Sequence, residues 1–104
     1  MTYKPLRDYG LIGDMRTAAL VGRDGSIDWC CFPRFDGPSV FAALLDARRG
    51  GRWSVAPARG ASGGAQAYEP GTNVLRTRFR SADVIDFMPV YRPRADVPLE
   101  IHRC

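Results

Sequence analysis

The dipeptide Asp24-Gly25 constrains the fold more than any other feature, because it stands between two short apolar runs, 17–21 and 27–32. Glycine tolerates the positive φ that a tight hairpin turn demands, so the pattern predicts an antiparallel β-hairpin. Strict alternation along the second run divides it into two faces, Ile27, Trp29 and Cys31 against Asp28, Cys30 and Phe32.

Glycine and proline residues that favour turns recur along the whole chain. Its 104 residues include 11 Gly and 8 Pro, which favours short strands and turns over long helices. Alternating residues in 73–80 and an apolar run at 84–88 predict a second hairpin. Two further short strands are predicted at 52–56, with Trp53 in the core, and at 98–104. Loops are predicted at 59–64 and 89–98.

One short helix is predicted after the second proline-rich break. Ser39 suits an N-cap, and the helix should run from Val40 to about Arg48. Its apolar residues recur at helical spacing, and Gly50-Gly51 should end it.

These elements predict a mainly β protein, an antiparallel β-sandwich portion with one short helix. A chain of 104 residues forms one domain at most. The last predicted strand reaches Cys104 with no partner after it, and a bare strand edge is an aggregation liability. We therefore expect residues 1–104 to be an incomplete N-terminal β-sandwich domain within a larger assembly.

Charge and cysteine usage narrow the function classes. The net charge is +4, but the cations are scattered and only Arg76, Arg78 and Arg80 share a strand face, so we expect no nucleic-acid partner. Cys30 and Cys31 are adjacent, which disfavours a disulfide between them.

The sequence also predicts that a metal site, a signal peptide and a membrane-spanning segment are absent. His102 and Cys104 are too few ligands for zinc, so no metal is expected. The N-terminus has no apolar signal region, and no run is long enough to span a membrane. Free thiols suit a reducing compartment, so a cytoplasmic location and no membrane partner are expected.

Ordered blocks of sequence carry a family resemblance across nearly the whole chain. They are Ile12-Gly13-Asp14, 16–21, 24–29, 33–36, 39–46, 51–53, 70–75 and 86–89. In this order they resemble the N-terminal domain of bacterial glycoside hydrolase family 15 proteins, the glucoamylase and trehalase-like group. The chain departs from the group in a shorter hairpin between Phe79 and Val84 and in lacking the sequence that would follow Arg103.

The resemblance implies a β-sandwich in front of an (α/α)6 barrel, inverting hydrolysis of α-glucosidic bonds, and no cofactor. Inversion needs one carboxylic acid and one carboxylate. In the family both are glutamates of the barrel, whereas Glu69 and Glu100 here lie in no matching motif. We therefore expect no catalytic residue in this chain and no catalytic barrel.

Four residues are candidates for a place near the substrate: Asp28, Trp29, Arg34 and Asp36. If they lie at the barrel mouth, Trp29 could stack on a sugar ring while the charged pair binds hydroxyls. The competing interpretation makes Trp29 a core residue and Arg34–Asp36 an internal pair. Asp14 and Arg16 are predicted to pair structurally and pin the first strand.

The leading hypothesis is a non-catalytic N-terminal segment of an inverting α-glucoside hydrolase. Its expected partners are the catalytic barrel of the parent chain and an α-glucoside at the domain interface. An alternative is a freestanding carbohydrate-binding β-sandwich module, which would need a row of exposed aromatic residues, whereas the strand pattern turns Trp29 and Trp53 inward. A third hypothesis is a basic interaction domain built on the Arg76, Arg78 and Arg80 face.

Overall fold

Two antiparallel sheets form the fold. The structure is a computed structural model that describes residues 3–58, 63–90 and 100–104. Sheet A contains β1 (Tyr9–Gly13), β2 (Ala18–Gly22), β3 (Ser26–Cys31), β4 (Ser39–Phe41) and β5 (Trp53–Ser54). Sheet B contains β6 (Ala65–Tyr68), β7 (Leu75–Arg78), β8 (Asp83–Phe87) and β9 (His102–Arg103). A single turn of 3₁₀-helix, Leu6–Asp8, precedes β1. The predicted mainly β class is confirmed.

The Asp24-Gly25 hairpin joins β2 to β3 as predicted. Gly25 has a φ of 85°, and its N–H donates to the Gly22 carbonyl at 2.9 Å. A Cβ at Gly25 would lie 2.1 Å from the carbonyl oxygen of Val55, so both conformation and space require glycine there.

A β-bulge at Asp28 breaks the alternation predicted for β3. Leu20 pairs with Trp29, but Val21 pairs with Ile27, so Asp28 has no opposite residue on β2. The extra residue places Ile27 on the same face as Cys30, and both belong to the core. Trp29 lies opposite Leu20 on the other face, which corrects its predicted place beside Ile27.

In sheet B the predicted β7–β8 hairpin is present, and the alternation of buried Leu75 and Thr77 with more exposed arginines is confirmed. Strand β6 was not predicted; its Ala-Gln-Ala-Tyr sequence has little β-propensity apart from the tyrosine. Three predictions lie partly outside the described residues, because residues 59–62 and 91–99 are not among them. They are the loops at 59–64 and 89–98 and the start of the strand at 98–104.

The helix predicted at 40–48 is absent, and its first residues form β4. Phe41 pairs with Cys30 of β3. The amides of Ala42 and Ala43 then bond to the carbonyls of Gly50 and Gly51, and the Leu44 amide bonds to the Asp28 carbonyl. These amides therefore bond to distant carbonyls instead of to carbonyls within a helix. Residues 42–49 form two isolated turns, despite the helical spacing of their apolar residues.

The core lies between the two sheets. Its buried apolar residues come from both of them: Ile12, Ala19, Val21, Ile27, Cys30, Leu75 and Met88. Trp53, predicted to be core, is 37% exposed. It lies opposite Ile27 and so faces inward, but it sits on the two-residue strand β5, at the margin of the sandwich.

Candidate functional site

Asp28 is the centre of a buried polar cluster on the outer face of sheet A. Its carboxylate accepts hydrogen bonds from Lys4 Nζ at 2.5 Å, the Tyr9 hydroxyl at 2.7 Å and the Ser26 hydroxyl at 2.5 Å. Asp28 follows the inward-facing Ile27 and therefore lies on this outer face, where the N-terminal segment brings Lys4 to it. Lys4 also pairs with Asp24 at 3.0 Å, so the cluster is internally satisfied.

The same contacts set the ionisation of the cluster. Burial alone would raise the pKa of Asp28, but the hydrogen bonds from Lys4, Ser26 and Tyr9 outweigh it and hold that pKa below its ordinary value. Burial and the neighbouring Asp28 carboxylate raise the pKa of Tyr9. Burial alone would lower the pKa of Lys4, but its bonds to Asp28 and Asp24 raise it instead. Asp28 is therefore a fixed carboxylate, poorly suited to proton transfer.

Trp29 belongs to a row of large apolar residues that crosses three strands of sheet A. Leu11 pairs with Leu20, and Leu20 pairs with Trp29, so the three side chains share the outer face. Leu20 and Trp29 are half-buried, and Leu11 is 53% exposed. We call these three residues the apolar row.

Arg34 and Asp36 lie in the exposed loop that follows the cis peptide bond Phe32–Pro33. They form an ion pair at 3.6 Å, with side chains 74% and 80% exposed. The loop is closed by the Gly37 amide, which donates to the Arg34 carbonyl. Such an exposed pair stabilises the fold little, so its predicted role as the internal pair of the loop has weak energetic support.

A strained turn at residues 14–17 lies next to this loop. Met15 has a φ of 76° and is 86% exposed. The buried Asp14 carboxylate holds the turn, because it accepts from the amides of Arg16 and Thr17 and from the Arg16 guanidinium at 3.2 Å. The predicted Asp14–Arg16 pair is thus confirmed. The Phe35 amide donates to the Arg16 carbonyl and links the loop to the turn.

The four candidates therefore separate into two groups. Asp28 and Trp29 lie on the outer face of sheet A, and Arg34 and Asp36 lie on the loop. Within residues 3–58, which contain all four, no hydrogen bond or ion pair joins the two groups. Their nearness to a substrate stays a prediction.

Comparison with known proteins places the chain in one family. Residues 2–100 match the family model described as trehalase-like, N-terminal. The chain belongs to the trehalase-like N-terminal family. No solved structure gives a significant match.

Curated relatives agree with that family. Trehalase 1 from Sulfolobus acidocaldarius is 42% identical over 106 residues, covering 92% of this chain and 18% of the relative. A trehalase from Thermoplasma volcanium is 39% identical over 84% of this chain and 15% of its own length. A trehalase from Mycolicibacterium smegmatis is 38% identical over 76% of this chain and 12% of its own. This trehalase-like domain thus spans less than a fifth of the length of these relatives.

The most deeply buried ion pair among the described residues was missed by sequence reasoning. Arg103 and Asp86 meet at 2.7 Å with side chains only 1% and 0% exposed. Arg103 also donates to the carbonyls of Gly25 at 2.5 Å and Trp53 at 2.6 Å, and its guanidinium lies 5.3 Å from the Trp53 ring centre. It connects sheet B to sheet A. Only its position opposite an acidic residue on paired strands could have indicated the contact, and that pairing follows from the fold.

The arginine face of β7 is partly neutralised. Arg76 pairs with Glu69 and with Asp83, the latter at 2.7 Å, and Arg78 lies 3.6 Å from Asp83. These pairs weaken the positive field on which the basic-domain hypothesis rests.

The described residues include all three cysteines of the chain. All three cysteines are free thiols, as predicted. Cys30 and Cys31 are buried, and burial raises the pKa of Cys30 to about 11, whereas Cys104 is exposed, although a buried or half-buried thiol was expected there. Across the described ranges, no three potential ligands cluster as a metal site would require. Nor does any helix in those ranges have the length and apolar character to cross a membrane.

Proposed function

We propose that this domain is the non-catalytic N-terminal segment of an inverting α-glucoside hydrolase of the trehalase and glucoamylase-like group. It packs on the catalytic barrel of the parent protein and shapes the substrate entrance. Membership of the trehalase-like N-terminal family supports the parent class. The names of the relatives, all trehalases, support an α-glucoside substrate.

The state of the buried carboxylates carries the non-catalytic part of the proposal. An inverting mechanism needs one carboxyl group free to protonate the leaving oxygen and another free to activate water. Each buried aspartate in the described ranges instead has a cationic partner: Arg16 for Asp14, Lys4 for Asp28 and Arg103 for Asp86. A carboxylate held this way supports structure rather than acid–base exchange.

The carbohydrate-binding alternative has less support. A flat aromatic platform needs several rings on one accessible face. Trp29 faces outward with the apolar row, whereas Trp53 lies opposite Ile27 on the inner face of the same sheet. The two tryptophans cannot stack on one ligand.

Three proteins test the proposed function. They are the 104-residue chain alone, Sulfolobus acidocaldarius trehalase 1 without its matching segment, and a chimaera in which this chain replaces that segment. We expect trehalose hydrolysis from the chimaera and none above background from the chain alone. Turnover of trehalose or malto-oligosaccharides by the isolated chain would overturn the proposal, as would full activity of the truncated relative without any segment.

A further inference from the structure

The outer face of sheet A leaves large apolar side chains in solvent. Leu11 of the apolar row is 53% exposed. At the end of the same strand Met15 is 86% exposed, and Phe35 on the adjoining loop is 63% exposed. Single exposed apolar residues are ordinary, but a row in register that continues towards an apolar tip is typical of an interaction surface.

The two parts of this surface are close enough for one interface. Leu11 and Met15 are four positions apart in the chain, which is at most about 13 Å at the rise of an extended strand. A standard protein interface buries about 800 Å² on each partner, a patch roughly 30 Å across. One partner can therefore cover the row and the tip together.

The backbone at Met15 supports the same conclusion. A left-handed conformation costs a residue with a side chain about 1–2 kcal/mol. The Asp14 carboxylate enforces it by binding the amides of Arg16 and Thr17. The strain presents a long apolar side chain to solvent, where it gains almost no burial within this domain. Strain of this kind is retained where a specific presentation is needed.

We propose that the apolar row, Met15 and Phe35 form the surface by which this domain docks on the catalytic portion of its parent hydrolase. The proposal rests on the proposed function and adds the contact surface to it. The occupant follows from size: the trehalase relatives contain more than four-fifths of their length outside the matched segment. The outer face of sheet B is a poorer candidate, because the Glu69–Arg76–Asp83 ion pairs occupy it.

The partner surface should be apolar and should accept Met15 as an anchor. Methionine suits such a role because its flexible, polarisable side chain fills irregular pockets. Polar contacts belong at the rim, where Arg34 and Asp36 remain mostly exposed.

The chimaera with trehalase 1 tests the docking surface through the oxidation of Met15. Dilute hydrogen peroxide should oxidise Met15 rapidly in the isolated chain and several-fold more slowly in the chimaera. Met88 is 0% exposed and reports in both proteins whether the domain is folded. Peptide mass spectrometry resolves the two sites.

Substitutions provide a second measurement. Leu11→Asp and Met15→Asp should each lower trehalose turnover by the chimaera at least about tenfold, the loss expected at an interface anchor. Val90→Asp is the matched control, because Val90 is also 53% exposed but follows strand β8 of the other sheet. It should leave turnover unchanged.

The outcomes separate the two proposals. The chimaera could be active while Met15 oxidises as fast as in the isolated chain and both variants behave like Val90→Asp. That result would overturn the proposed docking surface but would leave the proposed function intact. An inactive chimaera beside a fully active truncated relative overturns the proposed function itself. Protection of Met15 together with selective loss of turnover in Leu11→Asp and Met15→Asp supports both.

Discussion

Two arginine–aspartate pairs in this domain have the same chemistry and opposite surroundings. Arg103 and Asp86 are sealed between the sheets, with side chains 1% and 0% exposed, whereas Arg34 and Asp36 are 74% and 80% exposed. The buried pair also engages two backbone carbonyls and the Trp53 ring. The side chains of the exposed pair meet at 3.6 Å and form no other hydrogen bond or ion pair with the described residues.

The difference shows that burial, and not residue type, decides what such a pair does. A buried charge that loses its partner remains desolvated, so breaking the pair is costly. An exposed charge is hydrated again at once, so breaking its pair costs almost nothing. The buried pair should therefore contribute strongly to holding the two sheets together, whereas the exposed pair should contribute little to holding its loop.

Removing the buried cation should have the largest effect. Arg103→Met leaves the buried Asp86 carboxylate without its cation and removes the guanidinium from the Gly25 and Trp53 carbonyls, although the Gly25 carbonyl keeps the Val55 amide. Because the buried charge of Asp86 is then uncompensated, we expect a loss of about 3–5 kcal/mol of unfolding free energy. Urea denaturation followed by circular dichroism measures it.

A double variant separates the charge from the packing. Arg103→Met combined with Asp86→Leu removes the stranded carboxylate and should recover a large part of the loss. If Arg103→Met alone costs less than about 1 kcal/mol, the buried pair is not what holds the sheets together.

Asp28 should give the next largest effect. Asp28→Asn keeps the size of the side chain but removes the charge that Lys4 and the Tyr9 hydroxyl bind. Hydrogen bonds to a charged group are worth about 1.5–3 kcal/mol, and we expect a loss within that range. Tyr9→Phe is the control for a single bond and should cost less than Asp28→Asn.

The pH dependence of the same variant tests the charge directly. The pKa of Asp28 is lowered in the folded state, so its stabilising contribution is present above the unfolded pKa and is lost as pH falls through the folded one. The gap in unfolding free energy between wild type and Asp28→Asn should therefore be constant at neutral pH and shrink below about pH 4. A gap that persists unchanged at about pH 2 would contradict the ionised assignment.

Relieving the strained turn should change stability in the opposite direction. Met15→Gly removes the steric cost of the positive φ, and we expect a gain of about 0.5–1 kcal/mol after the extra entropy of glycine in the unfolded chain. Thermal unfolding measures the gain. Met15→Ala is the matched control: it keeps a Cβ, retains the strain and should not gain. Equal stability of the two variants would show that the turn is not strained.

The sequence was sufficient for those parts of the fold in which local signals agree. The Asp24-Gly25 turn, the β7–β8 hairpin and the Asp14–Arg16 pair all depend on residues close in the chain. The helix at 40–48 was wrong because its backbone amides find partners at Asp28, Gly50 and Gly51, which local periodicity cannot reveal.

The candidate site likewise could be predicted only where it depends on residues close in the chain. Alternation placed Trp29 inward, and a single extra residue at Asp28 reversed that placement, since a shift by one residue moves a side chain to the other face. The partners of Asp28 lie as far away as Lys4, and those of Asp86 as far as Arg103. No motif spacing encodes contacts that arise only when the N-terminal segment crosses sheet A or β9 pairs with β8.

The exposed pair should give the smallest effect. Arg34→Ala removes a guanidinium that water can replace, so the unfolding free energy should change by no more than about 0.5 kcal/mol. Asp36→Ala should match it, and the double variant should equal the sum of the two, because a screened pair has little coupling energy. A coupling energy above about 1 kcal/mol would mean that the Arg34–Asp36 pair does hold the loop internally, as the competing interpretation supposed, and would contradict the small effect expected of an exposed pair.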